Sequence, residues 1–269
     1  MKRLLVSFVL VLPLLIPGWT FSQFVASQYL ENIPPPEYYG KVILDNFSRK
    51  SGVDPVVFDH WLHRAKFTCR LCHIDVGFAM EAGATMVSAA DNMSGYYCGA
   101  CHDGKMTIED NVVFDSCAVN DTEEERKRCG RCHSKTETGQ GEYDYEKFTA
   151  GFPLLKKNLI DWEKAELLGK VTPLDFLESI SHERPSLKAQ RDFSIEAAAL
   201  KSNVIFSHKK HTVWNGCEVC HPLIFRSSKK GTVQYSMFEI MAGEYCGVCH
   251  LTVAFPVWLC AKCHRDSVQ

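Results

Sequence analysis

The chain has 269 residues, 46% of them hydrophobic, with 30 Lys and Arg against 32 Asp and Glu and a pI near 6.6. With neither a basic arm nor a basic face to neutralise phosphates, a nucleic-acid partner is excluded. The 13 Cys and 11 His are the unusual part of the composition, and their spacing carries most of the chain's chemistry.

In chain order, "MKRLLVSFVLVLPLLIPGWTFSQFVASQ" opens on Lys2 and Arg3, runs apolar from Leu4 to Ile16, and offers small residues for cleavage at Ser22, Ala26 and Ser27. Residues 1–27 are expected to be an export signal. A cleaved secretory peptide is the first reading, because Pro13, Pro17 and Gly18 interrupt the apolar span that a retained N-terminal membrane anchor needs. No second apolar segment of membrane length follows. Residues 28–54, with "NIPPPEYYGK" at 32–41, are expected to be an extended Pro-rich spacer.

Six runs of Cys-x-x-Cys-His come next: Cys69/Cys72/His73, Cys98/Cys101/His102, Cys129/Cys132/His133, Cys217/Cys220/His221, Cys246/Cys249/His250 and Cys260/Cys263/His264. In this pattern two thiols add covalently to the haem vinyls, and the adjacent His takes one axial position on iron. A zinc ribbon or a thiol-disulfide site gives no reason for a His directly after every second Cys. The cofactor expectation is therefore six haem c, with the six motif histidines proximal. Twelve of the 13 Cys are used, so there is no disulfide framework, and only Cys117 is left over. Covalent haem attachment in bacteria takes place outside the inner membrane, in keeping with the leader.

Without its leader the chain has roughly 40 residues per haem, near the size below which a polypeptide seldom builds its own core. The fold expected is mostly irregular with short α-helices and a haem-dominated core, and the apo chain is expected to be largely unfolded.

The two halves repeat at a constant offset of 148 residues. Val56–His102 and Val204–His250 match over 47 positions without a gap and with 16 identities. Each copy reads Phe-x-His-x-x-His, a first motif, Met-x-Gly-x-Tyr before a second motif, then a third motif. The expected units are 55–134, with an insertion at 103–128 that holds Cys117, and 203–269. Between them, 135–202 has no Cys and is expected to be a partly helical linker, with "NLIDWEKAELLGKVTPLDFL" (158–177) forming a short helix that stops near Gly169.

Six irons need six distal ligands if all are low-spin. Outside the motifs only His60, His63, His182, His208 and His211 remain. The pairs His60/His63 and His208/His211 recur at the same spacing before a motif, and residues three apart lie on adjacent faces of one helical turn, placed to reach two different irons. Met93 and Met241, each five residues before the second motif of its unit, are candidates for the third iron, as is His182. His/Met ligation raises a haem's potential, whereas an open site permits chemistry on a small ligand.

"VIFSHKKHTVWNGCEVCH…IMAGEYCGVCHLTVAFPVWLCAKCH" and "VVFDHWLHRAKFTCRLCH…GYYCGACHDGK" resemble c(7)-type triheme cytochrome domains, relatives of the class III multihaem cytochromes c, here in tandem. The resemblance implies that the first His of each pair serves the haem just after it and the second serves the next. That assigns His60 and His208 to the first motifs and His63 and His211 to the second. Smaller members place a further His before the second motif, where this chain has Ser94 and Ala242.

The expected function is that of an exported hexahaem electron carrier, not an enzyme, of an anaerobic or metal-respiring type of respiratory chain. Its redox protein partners would be a membrane quinol oxidase or dehydrogenase on one side and a periplasmic or outer-surface acceptor on the other. The location would be periplasmic or extracellular, with anchoring to the inner membrane through the N-terminus as the variant. A multihaem reductase with one open haem, and an oligomer forming an extracellular cytochrome filament, are the alternatives.

Overall fold

The structure is a computed structural model that describes residues 34–117, 122–134, 143–184, 191–197, 202–229 and 231–264. The expected leader, 1–27, lies outside the described residues. The residues from Pro35 onward form one compact unit. Its elements are β1 (Lys41–Leu44), β2 (Val56–Asp59), α1 (His60–Arg64), α2 (Ala89–Met93), β3 (Thr107–Ile108), β4 (Asn111–Val112), α3 (Glu123–Cys129), α4 (Tyr145–Thr149), α5 (Trp162–Leu167), β5 (Phe193–Ala197), β6 (Ser202–Phe206), α6 (His208–Asn215), α7 (Met237–Met241), α8 (Gly247–His250) and α9 (Cys260–Cys263). The longest described helix, α6, has eight residues. Helices this short are marginal alone and depend on what they pack against, in keeping with the expected irregular, short-helix fold.

One arrangement occurs twice. A strand pairs antiparallel with the strand that leads into the histidine helix: β1 with β2, from Lys41↔Asp59 to Leu44↔Val56, and β5 with β6, from Phe193↔Phe206 to Ala197↔Ser202. The third motif then returns to the same strand, through isolated antiparallel bridges at Val56↔His133 and Val204↔His264. Val56 and Val204 are equivalent in the repeat, so each hairpin ties the histidine pair to the far end of its own unit. Residues 41–44, read from sequence within a spacer, and 193–197, read within the linker, are thus paired strands.

The helix that prepares the second motif is also duplicated. Ser88 caps α2 in a reciprocal capping box with Asp91, and Ser236 caps α7 in the same way with Glu239. Behind each, Gly99 or Gly247 lies so close to the helix end that a Cβ would overlap the carbonyl of Asn92 or Ile240. Glycine at the first x of the second motif is a packing requirement.

The linker does more than connect. Tyr145 from α4, Ile160, Trp162 and Ala165 of α5 and Val171 form the protein's own buried cluster with Trp61 of α1 and Trp214 of α6. Asp161 caps α5 by accepting from the Lys164 amide, and the helix stops at Gly169 in the left-handed region, φ 63°. That is the helix and stop expected for 158–177. Both histidine helices therefore rest on one core built by a segment with no cysteine.

Candidate haem-binding site

Five of the motifs are wound into a single turn, and the first runs into a π-helix, Leu71–Val76. The amide of the motif His donates to the carbonyl of the first Cys at 2.8 Å for His102, His133 and His264, 2.9 Å for His221 and 3.0 Å for His250. Such a turn puts two sulfurs and one ring on neighbouring positions of the same surface. All 12 motif cysteines are unbridged, with Cys129 and Cys260 the exposed ones among them.

Eight of the histidines are held by the backbone. Nδ1 donates to a carbonyl oxygen at His60 (Gly40, 2.6 Å), His73 (Phe78, 2.9 Å), His102 (Phe114, 3.1 Å), His133 (Asp54, 2.5 Å), His208 (Arg191, 2.8 Å), His211 (Ser207, 2.8 Å), His221 (Phe225, 3.0 Å) and His250 (Phe255, 2.7 Å). A carbonyl can only accept, so these bonds fix the tautomer and leave Nε2 as the lone-pair nitrogen. Burial pushes the imidazoles of His60, His63 and His250 down to about 4, and those of His73, His102, His211 and His264 down as well. Neutral imidazole is the form that ligates a metal.

Three ring pairs face one another. His60 and His73 have centres 6.5 Å apart and planes within 8°. His63 and His102 are at 6.3 Å and 56°, and His211 and His250 at 6.2 Å and 61°. The last two are repeat-equivalent and agree in both separation and tilt. An imidazole nitrogen binds a first-row metal at about 2 Å with the ring centre about 1 Å behind it, so two rings sharing one iron from opposite sides have centres about 6 Å apart. The spacing, the neutral rings and the anchored Nδ1 atoms of five of these six rings fit haem iron. His208 and His221 are anchored in the same way, and among the described residues they form no facing ring pair.

The remaining candidates are more scattered. Met93 ends α2 with its side chain half exposed, and Met241 ends α7. His182 is exposed and lies beside Asp75, close to the first motif. Cys117 accepts from the Asn92 side chain at 3.7 Å.

Sequence reasoning missed the phenylalanines. Phe58 packs on both His60 and His63, at 4.8 and 4.5 Å between ring centres, and Phe206 on His208 and His211, at 5.0 and 4.4 Å. Phe114, Phe225 and Phe255 give both a ring and the carbonyl to His102, His221 and His250. A Phe four or five residues after His73, His221 and His250 was the readable signal.

The family profile described as cytochrome c7 and related cytochrome c matches residues 56–134 and 204–265, more than half of the chain. A search of curated proteins finds no match. Among solved structures the chain is similar to the C-terminal hexaheme fragment of GSU1996, at 25% identity over 86% of this chain and 99% of that one, with a TM-score of 0.26. It is also similar to the dodecaheme cytochrome c GSU1996, at 24% identity over 87% and 50% with a TM-score of 0.26, and to the N-terminal hexaheme fragment, at 20% identity over 84% and 99% with a TM-score of 0.25. With two matched regions, each holding three Cys-x-x-Cys-His motifs, the chain belongs to the family of cytochrome c7 and related cytochromes c.

Proposed function

We propose that the chain carries six haem c groups and relays single electrons along them as an exported component of an anaerobic or metal-respiring type of chain. The observation that carries this is the set of facing imidazoles, His60 with His73, His63 with His102 and His211 with His250. The 12 motif cysteines would hold the groups, with His73, His102, His133, His221, His250 and His264 on the proximal side. His60, His63, His208 and His211 would be distal ligands of the first and second haems. Each haem, when bound, supplies an iron that takes up and gives up one electron. The chain's own residues fix the ring orientation through the Nδ1 bonds, keep the imidazoles neutral by burial, and shield them with Phe58, Phe206, Phe114 and Phe255.

For the third haem of each unit we assign Met93 and Met241. His182 sits by the first motif, where His60 already faces His73. His/Met ligation would give these two haems higher potentials than their bis-His neighbours. The donor would be a membrane quinol oxidase or dehydrogenase, and the acceptor a periplasmic or outer-surface redox protein.

Electron paramagnetic resonance and visible spectra of the purified holoprotein test the ligation. Six low-spin haems with a thioether-to-iron charge-transfer band, lost in part in Met241→Ala, are expected. A high-spin signal would instead favour a reductase with an open site.

A further inference from the structure

Resting on the hexahaem reading, we infer that the two triheme units exchange electrons through their first motifs, across a partly buried clamp formed by Arg70, Asp75, Arg184 and Glu218. Arg70 lies between Cys69 and Cys72, and Glu218 between Cys217 and Cys220. These side chains belong to the two first motifs themselves, and the structure brings them together.

The contact is close and specific. In the repeat, Gly216 takes the place of Thr68. A Cβ on Gly216 would overlap Arg70 Cδ and come within 2.7 Å of Glu218 Oε2, and its backbone, φ 60° and ψ −154°, is one that only glycine holds without strain. The missing side chain is the space that Arg70 fills. The Arg70 side chain is 7% exposed and pairs with Asp175 Oδ2 at 2.6 Å and with the fully buried Asp75 at 3.8 Å. Arg184 pairs with Asp75 on one side and with Glu218 at 3.7 Å on the other. Glu218 also accepts from the Cys217 amide at 3.0 Å. Asp75, three residues after Cys72, is thus joined through Arg184 to the second unit's first motif.

The competing crossing is from the first motif of one unit to the second motif of the other. Charges placed between two redox groups act on both. Arg70 favours the reduced form of its neighbours and Glu218 disfavours it.

The test is a redox titration of the holoprotein in which haem-methyl nuclear magnetic resonances report each haem separately. In Arg70→Met, the haem on Cys69/Cys72 and the haem on Cys217/Cys220 should both fall in potential, each by about a tenfold change in its oxidised-to-reduced ratio, or 59 mV for a one-electron couple. Glu218→Gln, nearly isosteric, should raise both and serves if Arg70→Met does not fold. The inference is overturned if either substitution moves only the haem of its own unit, or if the partner that responds to Arg70→Met is the haem on Cys246/Cys249. With six haems present by intact mass, such a result leaves the hexahaem reading standing. A wild-type protein without haem on either first motif overturns both.

Discussion

At His63 and His211 the same local geometry is produced twice from different neighbours. Lys-Lys lies between His208 and His211 where Trp-Leu lies between His60 and His63, yet each second histidine faces the ring of its unit's second motif at nearly the same distance and tilt. The shared causes are the phenylalanine two residues before the pair and the helical spacing of three. Phe206→Ala, which removes the ring packed on His208 and His211, is expected to destabilise the holoprotein by about 1–3 kcal/mol with its haem content intact, as read by denaturant unfolding. Gly247→Ala drives a Cβ into the Ile240 carbonyl and is expected to reduce haem loading on Cys246 and Cys249, as read by peptide mass. At this scale the motif residues and both histidine pairs were legible, because covalent attachment needs fixed sequence spacing. The carbonyls that hold Nδ1 were not, since any residue type can supply a backbone oxygen.

The short elements are duplicated with their caps. The Ser236 hydroxyl and amide hold the Glu239 carboxyl below the usual carboxylate range. A carboxyl depressed in the folded state stabilises above its unfolded value and loses that contribution as pH falls through its folded value. Glu239→Gln is therefore expected to lower the melting temperature slightly at pH 7, with the difference from wild type vanishing in acid, as followed by circular dichroism. The helix at 162–167 and its glycine stop were readable from periodicity and a left-handed glycine. Strands β1 and β5 were not. β1 is a four-residue run, Lys-Val-Ile-Leu, without apolar alternation; β5 does alternate, Phe193 and Ile195 against Ser194 and Glu196, but five residues are too short a run to stand out from the linker around them.

At the scale of the whole molecule, the Cys-free linker is where, among the described residues, polypeptide alone makes a core joining both histidine helices. Trp162 and Trp214 meet edge to face at 6.4 Å with the Arg64 guanidinium over both rings, and Trp214 donates to Glu166 at 2.9 Å. Truncating Trp214 to Ala is expected to cost about 3–5 kcal/mol, measured by unfolding of the holoprotein, because it loosens both units at once. Sequence placed this segment between the units as a partly helical linker. It could not show that tryptophans from both histidine helices converge there, since that convergence is set by the return of the chain and not by any local spacing. Elsewhere the haems would have to supply the interior, and this makes their number the central claim. Intact mass of the mature protein, with peptide mapping of its thioethers, tests that number most directly. The expected result is six haems on 12 cysteines with Cys117 unmodified; a free thiol pair at any of the six motifs would contradict it.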